Sequence, residues 1–265
     1  YVIAGTHGSI AGGQNNYISG GSHSTIGVAS GGRIALVTAL VNASSTLTKD
    51  GAGELRSTLN NGTPFGVSNF VLNGGTLALV PGTGAASAAT GMNTAVGSTF
   101  TYGGTGMGGG GNLTLTKNTT FGLTLTIGNA GATANTVLVR SSRGTLVIQP
   151  TLITALGNAT AASAENFIVN ANSTAANMNG AATGAGIYNA SVVAAAANVG
   201  TFVQYQAANG FGAAAYTTAA NATAIAVNTI SDVTGSISIN TGSNPYALRV
   251  GATSTLTITG TTTVN

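Results

Sequence analysis

The sequence predicts an all-β fold built as a repetitive β-solenoid, with a short-repeat arm at its N-terminal end. Three observations carry this. Of the 265 residues only 4% are charged, so the solvated surface has to be made of hydroxyls, carboxamides and bare backbone, where an ordinary soluble domain has roughly 25% charged residues. Leu, Ile and Val alternate with Thr, Ser and Asn in many short segments, the period of a strand with one buried face. Aromatics are 5% and Trp is absent, too few large side chains to fill a wide core, whereas a thin solenoid needs one aliphatic layer per turn. Disorder requires low hydrophobicity together with high net charge; here the mean hydropathy is +0.34 and the net charge +3.

The first element, residues 1–32, carries Ile3, Ile10, Ile18 and Ile26 at intervals of seven, eight and eight, each close before Gly. A unit of about eight residues holds one short strand and one turn, which reads as a narrow solenoid or extended arm. Residues 33–265 form the solenoid body. The apolar run 34–41 is eight residues long, far short of the ~20 of a membrane-spanning helix, and reads as one buried strand. Phe70, Leu72, Leu77 and Leu79 lie at every second position on either side of Asn73-Gly74-Gly75, a strand, a turn and a strand. Pro81 ends that run, since it cannot donate to a ladder. Leu113, Leu115, Leu123, Leu125 and Ile127 alternate with Thr, whose branched Cβ suits the extended state, and 145–148 is a more continuously apolar strand. Around 190–198 Ala favours a short helix, while Val192-Val193 and the Asn-Gly steps at Asn179 and Asn209 favour strand and turn; the second reading is the stronger. Alternation returns in the final segment, over 223–230, 235–240, 246–251 and 254–265.

Residues 47–79, LTKDGAGELRSTLNNGTPFGVSNFVLNGGTLAL, resemble the autotransporter-associated β-strand repeat at Leu47-Thr48-Lys49, Gly51, Gly53, Leu55 and Gly75-Thr76-Leu77. The stretch departs from that pattern at Glu54, where Thr is usual, and in the loop NNGTPFGVS. Residues 202–218 and the segments after them resemble sequences flanking such repeats, so the likeness covers about half of the chain. It implies a right-handed parallel β-helix of the passenger type, exported to the cell surface, and it implies no catalytic residue. Repeats of roughly 20–25 residues are expected. The chain opens on Tyr1 rather than Met, which reads as a mature product or an excerpt.

Chemistry has few residues to draw on. Cysteine is absent, which removes disulfides, thiolate metal sites and Cys nucleophiles. The carboxylates are Asp50, Glu54, Glu165 and Asp232; Asp50 and Glu54 flank a Gly turn beside Lys49 and Arg56, which reads as a local surface ion-pair cluster rather than an acid-base pair. His7 and His23 have no third ligand near them in sequence and read as turn residues. Gly104-x-Gly106-x-x-Gly109 has dinucleotide-fingerprint spacing, but a strand-like segment follows it where a helix is required, and Lys117 stands too far on for a phosphate loop. Asn-x-Ser/Thr occurs about eight times, as at Asn42, Asn61, Asn112, Asn158 and Asn221, against about six expected by chance in so Ser/Thr-rich a chain. Seven Lys and Arg are spread singly, which is no phosphate-tracking stripe.

The sequence thus points to an extracellular or cell-surface structural protein, an adhesin stalk, matrix or fibre component without catalytic residues, metal or cofactor. Its expected partners are other copies of itself, glycans or extracellular matrix, with no nucleic acid and no membrane span. Alternatives are a filament subunit joined by strand addition at its termini, a carbohydrate-binding or glycan-cleaving β-helix, and an ice-binding surface.

Overall fold

Alternation with period two puts every second side chain on one face of a strand, and this chain uses it repeatedly to bury one face of parallel sheets. The computed structural model describes residues 2–4, 7–10, 16–18, 23–36, 40–42, 46–59, 65, 69–82, 92–96, 99–104, 110–128, 137–160, 162, 164–169, 191–197, 199–206, 208–219, 230–239, 247–251 and 254–258. Among them the elements are strands, with a single 3-10 turn at Ile153–Ala155.

The strands come in sets that visit the sheets in a fixed order. The first set is β1 (Val2–Ala4), β2 (His7–Ile10) and β3 (Asn16–Ile18), and the second is β4 (His23–Val28), β5 (Arg33–Leu36) and β6 (Leu40–Asn42). Then come β7 (Thr46–Asp50) and β8 (Glu54–Ser57), followed by β9 (Asn69–Leu72), β10 (Thr76–Leu79) and β11 (Met92–Val96). Two further sets are β12 (Thr99–Tyr102), β13 (Gly111–Leu115) and β14 (Leu123–Ile127), and β15 (Leu138–Arg140), β16 (Leu146–Pro150) and β17 (Glu165–Val169). The first members form a six-stranded sheet in the order β1-β4-β7-β9-β12-β15, and the second members lie side by side in another. The third members pair as β3-β6 and as β11-β14-β17. Every pairing among these strands is parallel, as in Thr46 with Asn69 and Glu54 with Thr76.

Beyond them the order changes. β18 (Val192–Ala196) joins the second sheet in parallel, and β19 (Val199–Gln206) and β20 (Gly210–Ala213) then extend it antiparallel to a total of nine strands. The last strands, β21 (Thr217–Ala219), β22 (Ile230–Val233), β23 (Ile237–Ile239), β24 (Ala247–Val250) and β25 (Leu256–Ile258), pair in parallel as β21-β22-β24 and β23-β25. Among the described residues no sheet closes on itself.

The expected repeat length holds only near the N-terminus. Val2 pairs with Ile26, His23 with Thr46 and Thr46 with Asn69, but Phe100 pairs with Leu138 and Leu146 with Val192. The eight-residue period of 1–32 has a simple explanation. Ile3, Ile10, Ile18 and Ile26 fall on the four successive strands β1 to β4, so three short units make one full step and bring β4 beside β1. The sheets run on past residue 32, since β4 pairs with β7 and β5 with β8.

The run 34–41 is not one strand. Residues 34–36 lie in β5 and 40–41 in β6, which belong to different sheets, and 37–39 lie outside the described residues. Likewise Asn73-Gly74-Gly75 turns the chain from the first sheet to the second, and β9 and β10 do not pair with each other. Over 191–197, the described part of 190–198, the strand-and-turn reading is the observed one: β-branched Val192 and Val193 open β18, and Ala197 at φ 47° turns it toward β19.

Within the sheets an aromatic column supplies the bulk that the aliphatics lack. Phe65, Phe70, Phe100, Phe167 and Phe211 follow one another with ring centroids 4.9, 5.6, 6.1 and 5.2 Å apart, all fully buried. Among the described residues no helix is long and apolar enough to cross a membrane, a finding that has no bearing on strands.

Candidate functional site

The corner joining β7 to β8 lies between the corresponding corners of the neighbouring repeats, and its sequence is dictated by that stacking. The Gly53 N–H donates to Val28 O at 2.9 Å, and the Thr76 N–H to Gly53 O at 3.1 Å. A Cβ on Gly53 would stand 2.2 Å from Ala29 O, and one on Gly51, where φ is +77°, 2.4 Å from Val28 O. Backbone thus approaches backbone too closely for any side chain.

Such stacking gathers carbonyl oxygens, and Lys49 answers them from inside. In register it follows Ile26 and precedes Leu72, two core residues. Its side chain is fully buried, and Nζ donates to Asp50 O at 2.9 Å, Gly51 O at 2.7 Å and Gly74 O at 2.9 Å. Burial lowers the ammonium to about 8, against the weaker opposing pull of the Asp50 carboxylate. Lys49 is therefore not part of a surface ion-pair cluster, because its position on the inward face of β7 leaves it no route to solvent.

Outside the same corner lies the ion cluster proper. Arg33 Nε and Arg56 Nε donate to the same oxygen, Glu54 Oε1, at 2.7 and 2.6 Å. Desolvation works against the charged carboxylate, but the two guanidinium hydrogen bonds and charges outweigh it and hold Glu54 below the usual range. Arg33 enters because it is the register partner of Glu54 across β5 and β8. Sequence reasoning passed it over, although adding one repeat step to 33 arrives at 54. Asp50 goes elsewhere, its Oδ1 accepting from the Gly51 N–H at 2.8 Å and from Asn73 Nδ2 at 3.1 Å. A hollow of about 230 Å³ opens beside the cluster, lined by Gly31, Gly32, Arg33, Ala52, Gly53, Glu54 and Thr76. Glu54, the departure from the repeat pattern, is the residue that organises it.

The other two carboxylates are held separately. Glu165 is fully buried and fastens three stretches of chain. Its Oε1 accepts from the Lys117 N–H at 2.8 Å and Thr151 Oγ1 at 2.6 Å, and its Oε2 from the Thr151 N–H at 2.6 Å. Asp232 takes Arg249 in a two-pronged pair, Nε at 2.9 Å and Nη2 at 2.6 Å, across β22 and β24. The hydrogen bond from Arg249 holds Asp232 below its ordinary range. That guanidinium also lies 4.1 Å over the Tyr216 ring, whose hydroxyl accepts from the Phe202 N–H at 2.9 Å. A second groove, about 270 Å³ and mostly apolar, is lined there by Val193, Phe202, Tyr216, Leu248 and Arg249.

His7 and His23 fall in different sheets, on β2 and β4. Among the described residues no three His, Asp or Glu gather as a metal site would require. Gly106 and Gly109 lie outside the described residues, and the element that follows them is the strand β13. Asn61 and Asn221 are outside them too; Asn158 is half-buried, with Oδ1 accepting from the Thr160 N–H.

The four carboxylates thus sit in four separate settings, each already engaged, and the arrangement offers paired charges and hollows rather than an acid and a base facing each other. No family model, curated protein or solved structure matches this chain.

Proposed function

We propose that the chain is a structural, non-enzymatic component of an extracellular surface or fibre, folded as a right-handed parallel β-helix of the passenger type. The observation that carries this reading is the charge-poor outward face of the first sheet, where Asp50 and Arg140 at strand ends are the charged residues among those described. His23, Thr46, Asn69 and Thr99 form one row in register, and Thr25, Thr48, Val71 and Thr101 form the next. Strand ladders and inward aliphatics hold such a face with no disulfide, and the engaged state of all four carboxylates fits a protein that displays a surface. The edges of the two main sheets at β1 and β2 support a sharper form of the proposal: copies add strand to strand through the arm 1–32, as exposed ladders permit.

Negative-stain electron microscopy over a concentration series tests it. Regular filaments that disappear when residues 1–32 are deleted are expected, and isolated short rods at every concentration would sink the filament form. The same Thr rows favour a second reading, in which the flat face orders water or stacks on sugars. Ice recrystallisation assays and a glycan array separate that reading from a purely structural one.

A further inference from the structure

We propose that the hollow beside Arg33, Glu54 and Thr76 binds the anionic group of an acidic polysaccharide, a sugar carboxylate or sulfate. Register places these three side chains next to one another on adjacent parallel strands, and Arg56 stands two residues along β8 from Glu54 on the same face. Both arginines spend their Nε donor on the same carboxylate oxygen. Two cations and one anion leave a net charge of +1 on the cluster.

Each guanidinium has five N–H donors, and one is used here. The remaining Nη edge has the fork geometry that suits a planar carboxylate or a sulfate. Arg33 itself borders the hollow, and its side chain is 36% exposed against 22% for Glu54, so the cation is the more accessible of the two. Asp50, the nearest other acid in sequence, is turned to Gly51 and Asn73.

Shape agrees with charge. The floor is Gly31, Gly32, Ala52 and Gly53, and no atom lies within 4 Å of where a Gly31 Cβ would be. About 230 Å³ is below the roughly 300–1,000 Å³ of drug-sized ligand sites, which suits one sugar unit with its hydroxyls toward Thr76. Cations spread singly elsewhere on the chain provide no second such cluster among the described residues. The inference is independent of filament formation, because the hollow is complete within one chain.

Calorimetric titration of the full 265-residue chain tests it with oligogalacturonate, a sulfated dextran oligomer and neutral maltoheptaose. Binding of one or both acidic probes is expected at a Kd of about 0.1–1 mM, weakening as salt rises, with no heat from the neutral probe. Which acidic probe binds identifies the source of the oxyanion. Arg33→Gln should weaken binding about tenfold and Arg33→Lys by less, while Arg143→Gln leaves it unchanged; melting curves of all three confirm folding. Equal binding of maltoheptaose, absence of binding to both acidic probes, insensitivity to salt, or wild-type affinity in Arg33→Gln would each overturn the proposal. Filaments, present or absent, are read separately by microscopy.

Discussion

Two buried ions decide the behaviour of individual residues. Lys49 is lowered from 10.5 to about 8 in the fold, so between those values the unfolded chain binds a proton that the folded one does not. Stability therefore rises with pH across that window and is lost as pH falls through the folded value. From about pH 7 to about pH 9.5 the gain should be about 2 kcal/mol in the wild type and absent in Lys49→Met, read from urea midpoints at the two pH values. Glu165 offers a contrasting case, since its carboxylate accepts two backbone N–H groups and a hydroxyl in a fully buried site. Glu165→Ala leaves those donors unpaired and should cost on the order of 3 kcal/mol, with Glu165→Gln recovering part of it; chemical denaturation distinguishes the two.

At the scale of elements, the corners are less tolerant than the strands. Gly53→Ala would push a methyl group to 2.2 Å from Ala29 O and 2.7 Å from Gly32 O, so the stacked corners must separate, at about 3 kcal/mol or more. Gly200→Ala meets nothing within 4 Å and has no positive φ; it should change stability by less than about 0.5–1 kcal/mol. Thermal melts of the two variants side by side check this. Strands were legible because period-two patterning survives any register: Leu113 to Leu115 and Leu123 to Ile127 bury alternate residues as expected. Pairing was not, because a turn such as Asn73-Gly74-Gly75 looks the same whether it folds a hairpin or carries the chain to another sheet.

On the scale of the whole molecule, cohesion runs along the stacking direction. Phe100 touches Phe70 on one side and Phe167 on the other, at 5.6 and 6.1 Å, so it links three repeats. Phe100→Ala should cost about 3–5 kcal/mol and lower the midpoint of a single cooperative transition. Association through the charge-poor face or the strand edges, if it forms filaments as proposed, involves few ionic contacts. Filament yield should then be unchanged between about 0.05 and 0.5 M salt, whereas binding of acidic glycans should fall; sedimentation assays follow the first and titration the second.

By itself the sequence determined that the chain is all-β, where most of its strands lie, and that Gly, Thr and aliphatic residues would take the place of charge. Those properties are local, set by alternation and by the conformational range of glycine. It also marked Lys49, Glu54 and Arg56 as a cluster. Only the tertiary structure decided that Lys49 points inward to three carbonyls while Arg33, from the previous repeat, takes its place beside Glu54. The reason is register: a shift of one residue turns a side chain from solvent to core, and partners one repeat apart become neighbours only when parallel pairing sets them side by side.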